Sequence, residues 1–367
     1  MSRDLTYLAF ELGWAFPVVV AQWAVGRRVL WSRRRLIALV VGILTLYLSD
    51  EEVTRQIATR ATLPGIDLAG LMTDRWETPV GTPVVTSTSD FYRVSKNADD
   101  PILSSGTWNL ELGGAVASPR RLSLENLLSF PAFWRAVTLE CVDNPLGGPL
   151  ASTAIWVGAR LTDLVAQAQP LPSSVRIVII GADGLDEDLP LARLAELDPL
   201  LVYAMNGQPL PRAHGFPLRL IVPGYYGFKN VKWVTRIELA GAGAGYWNRR
   251  GWDGLPPIAA TARIDQARRV SDAAGAAILP VGVALAGRRG VARVELRVDS
   301  GAWIAAELRE PPLGDATWVQ WRARIPDDGS REIVARVVES SGQLPPEGPI
   351  SSFPAGSRGW TRRRIDS

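Results

Sequence analysis

The stretch Met205–Leu239, MNGQPLPRAHGFPLRLIVPGYYGFKNVKWVTRIEL, is where the fold of this chain is decided. Two apolar runs within it, Leu218–Val222 and Val231–Leu239, read as strands because aliphatic and β-branched residues are bounded by Gly and Pro. The turn residues Gly215, Pro217, Pro223, Gly224 and Gly227 make the backbone reverse repeatedly over a short length. Into this segment fall the sole histidine, His214, and the cations Arg219, Lys229 and Lys232. Arg219 and Lys232 lie near strand ends beside loops, where a cation can meet a phosphate in fixed geometry. Surface basicity around a hydrogen-bonded core histidine would give the same pattern, so the segment alone leaves both readings open.

A second segment shares this character. Residues 138–149, TLECVDNPLGGP, run a short apolar strand into a Pro/Gly-rich loop that carries the only cysteine, Cys141. Such loops present side chains toward sites, whereas a lone cysteine is otherwise most often a small buried hydrophobe. Nearby, Trp108–Leu112 and Val175–Ile180 read as strands, Ser123–Leu128 as a capped helix and Leu191–Glu196 as helical. Helices and strands do not alternate regularly, which predicts an α+β fold. From about Gly275 the pattern turns to period two: Val294, Leu296 and Val298 alternate with Arg293, Glu295 and Arg297, and Val319, Trp321, Ala323 and Ile325 with Gln320, Arg322 and Arg324. With Ile333, Ala335 and Val337 repeating it between Pro/Gly turns, this predicts an immunoglobulin-like β-sandwich without a disulfide.

The chain opens on two apolar stretches. Leu5–Val25 covers 21 residues interrupted by Glu11 and Pro17, and Leu36–Leu48 covers 13, against the roughly 20 that a membrane-crossing helix needs. Arg27, Arg28, Arg33, Arg34 and Arg35 between them predict a cytoplasmic loop, placing everything after Asp50 on the extracytoplasmic side of the cell membrane. Ser32–Ile37 also resembles a twin-arginine (Tat) signal. No small-x-small cleavage site follows closely, so a retained anchor of one or two transmembrane helices is expected. The chain thus divides into an anchor (1–50), a linker (51–85), an α+β domain (86–270) and the sandwich (275–367).

Scarcity bounds the chemistry. A chain of 367 residues with 47% hydrophobic and 21% charged residues is globular, and 40 basic against 37 acidic residues leave no basic field for a nucleic acid. One Cys and one His exclude an intrachain disulfide, four-ligand structural zinc, protein-ligated iron–sulfur clusters and bis-His haem. A Ser-His-Asp triad could draw only on His214. If the chain does redox chemistry, a cofactor must bring most of its own ligands.

Both segments resemble the molybdopterin-binding domain of the sulfite oxidase family. The family's cysteine pattern, roughly T-L-x-C-x-x-N-P-x-G-G followed by W-x-G-x-x-L, is met at Thr138–Gly148 and at Trp156, Gly158 and Leu161. Its second pattern, M-N-G-x-P-L-P-x-x-H-G-F-P-x-R-x-x-V-P-G-x-x-G-x-x-x-V-K-W, is met from Met205 through Trp233. The resemblance runs from about Asp90 to Asp265, and the sandwich resembles the family's dimerisation domain, which implies a possible homodimer. It also implies a molybdenum cofactor whose metal is held by molybdopterin dithiolene sulfurs and one protein thiolate, with Cys141 as that ligand and the catalytic residue. His214 and Arg219 match cofactor-binding positions, and Asn230, Val231 and Lys232 match the loop that holds the pterin phosphate. Tyr92 and Arg93 match an upstream cofactor contact, and Ala182 falls near another. The reaction implied is two-electron oxygen-atom transfer on a small-molecule substrate, with a separate haem- or quinone-linked electron-transfer partner at the membrane.

Two positions depart from the family. Its sulfite oxidases carry an arginine directly after the Asn of the cysteine loop, where this chain has Pro145, and an active-site tyrosine where it has Leu185. Losing a cation and a phenol argues against tight binding of a dianion such as sulfite. Asp183, Asp186, Glu187 and Asp188 beside Leu185 read as an acidic, solvated loop. The substrate stays open, with an S- or N-oxide such as methionine sulfoxide as an alternative, reduced rather than oxidised. A reading of another class is a catalytically silent binding or assembly protein that keeps the fold, against which the intact Cys141, His214, Arg219 and Lys232 speak.

Overall fold

In the computed structural model the described residues are 41, 42, 50–76, 78, 80–329 and 331–365. The apolar stretches and arginines expected to form the anchor lie outside them, except for Val41 and Gly42. Among the described residues no helix is long and apolar enough to cross a membrane.

The first domain contains β1 (Asn109–Gly114), β2 (Arg120–Ser123), β3 (Phe133–Glu140), β4 (Ala151–Arg160), β5 (Arg176–Gly181), β6 (Asp186–Pro190), β7 (Leu200–Met205), β8 (Gln208–Pro209), β9 (Arg219–Ile221) and β10 (Val234–Ala240). Helices α1 (Leu68–Thr73), α2 (Leu124–Leu128), α3 (Leu161–Ala168) and α4 (Leu194–Leu197) are short. One sheet runs β2-β1-β10-β5-β6, with β1 and β10 parallel; the other runs β3-β4-β7-β8, with β9 also paired to β7. Both contribute to one apolar core: Leu110, Leu112, Ile177 and Ile237 from the first, Val157, Ala159, Leu201 and Tyr203 from the second. α3 adds Leu161, Leu164, Val165 and Ala168, whose spacing puts them on one helical face. The opposite side of β4 and β7 packs Trp156, Val202 and Met205 against Phe91 and Leu139. These strands are therefore buried on both sides, and β3 emerges from the layer directly at Cys141. Ser123 caps α2 in a reciprocal bond with Asn126, as the sequence pattern suggests.

Several boundaries move. The expected linker is packed structure: residues 50–60 are helical, and Val53 (3% exposed), Ile57 (0%) and Ala61 (0%), four apart on one face, enter the first core. After α1 the chain straps the two domains together. Gln320 Nε2 donates to the carbonyls of Asp74 (3.0 Å) and Thr82 (2.8 Å), and Trp318 Nε1 to that of Val84 (3.0 Å). The strand expected from Val231 begins only at Val234, because Trp233 has φ +52°, which no ladder residue adopts.

The second domain comprises β11 (Thr261–Asp272), β12 (Gly275–Leu285), β13 (Val291–Val298), β14 (Ile304–Ala305), β15 (Glu307–Leu308), β16 (Val319–Arg322), β17 (Ile325–Pro326), β18 (Glu332–Glu339) and β19 (Thr361–Arg364). Its sheets run β11-β12-β16-β15, with β17 on β12, and β14-β13-β18-β19. Ile264, Ala284 and Trp321 of one meet Val294, Leu296, Ile333 and Val337 of the other. A boundary between 270 and 275 would cut the β11–β12 hairpin; a bulge between Ile264 and Gln266 breaks the alternation that would have revealed β11.

Candidate active site

A cavity of about 530 Å³ lies where the cysteine loop, residues 92–96, the turns of 213–232 and the 246–252 loop converge. Tyr92, Arg93, Cys141, His214, Arg219, Asn230 and Lys232 all line it. Ala182 and Val231 do not. Ala182 is exposed and its N–H donates to the Trp233 carbonyl at 2.9 Å, while Val231 is buried in the first core with its carbonyl bonded by the Leu220 N–H at 2.8 Å.

The cysteine loop is closed by backbone and one amide. The Cys141 N–H donates to the Leu150 carbonyl at 2.9 Å. Asn144, 3% exposed, donates through Nδ2 to Glu140 Oε1 (2.9 Å) and accepts the Leu150 N–H on Oδ1 (3.0 Å). Sequence reasoning placed Asn144 in the motif without giving it a role; its role is to hold the loop shut. The second domain reaches this loop as well, with Ser357 Oγ donating to the Asn144 carbonyl at 2.7 Å and Ser352 bonding the Asp143 carboxylate. Burial pushes the Cys141 thiol up, a hydrogen bond from the Asp143 backbone opposes this, and the Asp143 and Glu140 charges reinforce it. Burial also raises Glu140 to about 7.

Among the described residues, neither cation of the cavity floor forms an ion pair with a carboxylate. Arg219, 6% exposed, donates to the His214 carbonyl at 3.1 Å and lies 5.2 Å over the Trp156 ring, while its buried Nε has no hydrogen-bond partner. Burial pushes its pKa down to about 10. Lys232 donates to Ser95 Oγ (2.7 Å) and the Ala213 carbonyl (3.2 Å), and sits 4.2 Å from the Trp233 ring. Burial first, then the Arg219 charge, brings it down to about 7. His214 donates from Nε2 to the Thr88 carbonyl at 3.3 Å; burial and then Arg219 lower it to about 4, so it is neutral near pH 7.

Neighbouring groups are spent on the scaffold. Lys229 is 0% exposed and pairs with Glu187 at 2.7 Å and Asp188 at 3.5 Å. Arg249 grips both Asp186 oxygens at 2.7 and 2.8 Å. Of the acidic run expected to be a solvated loop, Asp186, Glu187 and Asp188 are in strand β6 with their charges paired, while Asp183 stays in the turn before it and lines the cavity. The Asn230 amide holds the turn before β10, accepting the Val222 N–H (2.7 Å) and donating to the Tyr226 carbonyl (2.9 Å). Gly227 faces Tyr92, whose hydroxyl would lie 2.7 Å from any Cβ there, so this close approach requires glycine. Burial raises the Tyr92 phenol, with Arg219 pulling against it.

The mouth was not anticipated. Leu185 lines it as expected, but so do Trp247 and Trp252, whose signal in the sequence is aromatic density in a Gly-rich loop. Pro145 is exposed and outside the lining.

A buried guanidinium with an unpartnered Nε, a half-buried lysine that no carboxylate pairs and one cavity-wall thiol fit an anionic, phosphate-bearing group that carries a metal with most of its own ligands. Molybdopterin has that chemistry.

The oxidoreductase molybdopterin binding domain matches residues 97–247, just after Tyr92 and Arg93. Human mitochondrial sulfite oxidase is 31% identical over 308 residues, covering 67% of this chain and 55% of that protein, so the chain spans about half of its length. Arabidopsis thaliana sulfite oxidase is 26% identical over 325 residues, covering 72% of this chain and 82% of that one. The crystal structure of the sulfane dehydrogenase SoxCD from Paracoccus pantotrophus shares the fold, with a TM-score of 0.64 at 20% identity over 80% of this chain and 90% of that one.

Proposed function

The chain belongs to the sulfite oxidase family of molybdopterin-dependent oxidoreductases, and from that premise we propose that it moves an oxygen atom to or from a small substrate of low charge, not sulfite. Cys141 would give molybdenum its protein thiolate, while Arg219, Lys232 and the neutral His214 would meet the pterin and its phosphate. When bound, the cofactor supplies a metal that changes oxidation state by two electrons and exchanges an oxygen atom with substrate. The chain binds, orients and limits access.

One observation carries the substrate reading: the buried cation without a carboxylate partner, Arg219, is on the floor, whereas at the mouth the carboxylates of Asp143 and Asp183 outnumber the single lysine, Lys96. Lys96, Asp143, Asp183, Leu185, Trp247 and Trp252 line the outer cavity, with Lys96 Nζ donating to Asn97 Oδ1 at 3.0 Å. Arg93, which also lines the cavity, is already bound to Asp100 at 2.6 Å. Two carboxylates against one lysine, within an apolar rim, give a small dianion no net attraction there while admitting a neutral S- or N-oxide. Molybdenum-loaded enzyme with a reduced viologen as electron donor should turn over sulfoxides or N-oxides. With an artificial acceptor, sulfite should give kcat/KM at least ~100-fold lower. Sulfite as the best substrate in the panel would overturn this reading.

A second reading concerns position. Leu5–Val25 and Leu36–Leu48 around an arginine-rich segment support a membrane anchor, with the catalytic domain extracytoplasmic and electrons exchanged with a separate haem- or quinone-linked membrane partner. The full chain should resist alkaline carbonate extraction and be cut by protease added outside spheroplasts. Extraction into the soluble fraction, or protection from that protease, would contradict it.

A further inference from the structure

We infer that Trp247 and Trp252, the latter positioned by Phe353, form a specificity wall that selects substrates whose reacting atom is carried on a flat, apolar group. This rests on the oxygen-atom-transfer reading above and adds the shape of the substrate. Trp247 and Trp252 line the half-exposed mouth of a cavity whose floor is buried and charged. Trp252 lies 5.2 Å from Phe353 at 77° and 6.5 Å from Trp247 at 82°, so these rings meet edge to face and none is stacked flat on its neighbour. Val142, Leu185 and Phe228 extend the same apolar lining.

The wall is held from two directions. The Trp247 N–H donates to Glu187 Oε1 at 2.8 Å, and Glu187 is the buried partner of Lys229. Asn248 Nδ2 donates to the Trp252 carbonyl at 3.0 Å. From the second domain, the Pro354 carbonyl accepts the Asp253 N–H at 2.9 Å, and Ser352 is bonded to Asp143 of the cysteine loop. Phe353 Cζ lies 3.2 Å from where a Cβ on Gly251 would stand, and Gly251 has φ +90°, so only glycine permits this approach. Phe353 is 53% exposed and outside the cavity lining; it acts by positioning Trp252. Rigid rings fixed in this way lose little entropy when they meet a ligand and reward apolar area next to a polar reacting atom. A single methyl cannot cover such a surface, whereas an aryl group can.

Non-reducible sulfones separate this inference from the reaction itself. Calorimetric titration of the full, cofactor-loaded chain should show methyl phenyl sulfone binding at least ~10-fold more tightly than dimethyl sulfone. Trp252→Ala should cut that preference to within about twofold, and Phe353→Ala should lower it partly, with Phe353→Tyr restoring it. In turnover, KM for methyl phenyl sulfoxide should rise in both alanine variants, while that for dimethyl sulfoxide moves less than about twofold. Equal binding of the two sulfones by wild type, or an unchanged preference in Phe353→Ala and Trp252→Ala, overturns the wall. Failure of every S-oxide to turn over, with the binding preference intact, sinks the reaction reading and leaves the wall standing.

Discussion

Lys229 and Lys232 are three residues apart on one turn and face opposite fates. Lys229 is wholly buried against Glu187 and Asp188, on the side of the turn that packs on β6. Lys232 touches a hydroxyl, a carbonyl and an indole, and no carboxylate. The first cation is finished by the fold; the second, like Arg219 beside it, is left for something else to finish. Burying an unpaired charge costs several kcal/mol, and that cost is borne on the floor of the same cavity that Cys141 enters. Paired cations build the scaffold here, and unpaired ones mark the site.

The comparison breaks most readily at Lys229. Lys229→Met strands the Glu187 carboxylate and should destabilise the protein by about 3–5 kcal/mol in urea unfolding; a loss below about 1 kcal/mol would mean the pair is not structural. Arg219→Met should do the reverse. The apoprotein should keep or gain thermal stability while cofactor retention falls at least ~10-fold, read as molybdenum and pterin per chain. Equal retention would place the anion elsewhere. Asn144→Ala lies between these extremes, losing about 1–3 kcal/mol by opening the bonds that close the cysteine loop.

The smallest effect is a pH dependence. Lys232 falls from 10.5 to about 7 on folding, so between those values the unfolded chain binds more protons and stability rises with pH. The burial penalty is complete below pH 7 and relieved toward 10.5. Apo Lys232→Met should therefore exceed wild type in Tm most at about pH 6, with the gap closing by about pH 10. His214, lowered from 6.5 to about 4, acts with the same sign at lower pH: its burial costs stability as pH falls through that window. A gap between variant and wild type that is flat with pH would show that Lys232 is not buried as a cation.

Much of this was legible in the sequence, and unevenly so. Residues 138–149 and 205–233 located the cavity because their chemistry is local: a thiol, an imidazole and two cations pinned by turns. The sandwich was legible from alternation until a bulge in β11 hid its first strand. The helical segment over 50–60 was not, because Val53, Ile57 and Ala61 look like spacing in a linker until a core exists to receive them. Trp252 and Phe353 are distant in sequence and meet only through packing between domains, so no local pattern could join them. The family pattern singles out Lys232 and passes over Lys229, but that Lys229 is spent on the scaffold shows only in the placement of β6.

The central claim is that Cys141 gives the metal its single protein ligand. X-ray absorption at the molybdenum edge, on the full chain made in a host that supplies the cofactor, tests it by counting sulfur neighbours in wild type and Cys141→Ser. The account predicts about one fewer sulfur around molybdenum in the variant. Equal sulfur counts, or wild type without molybdenum, would contradict it.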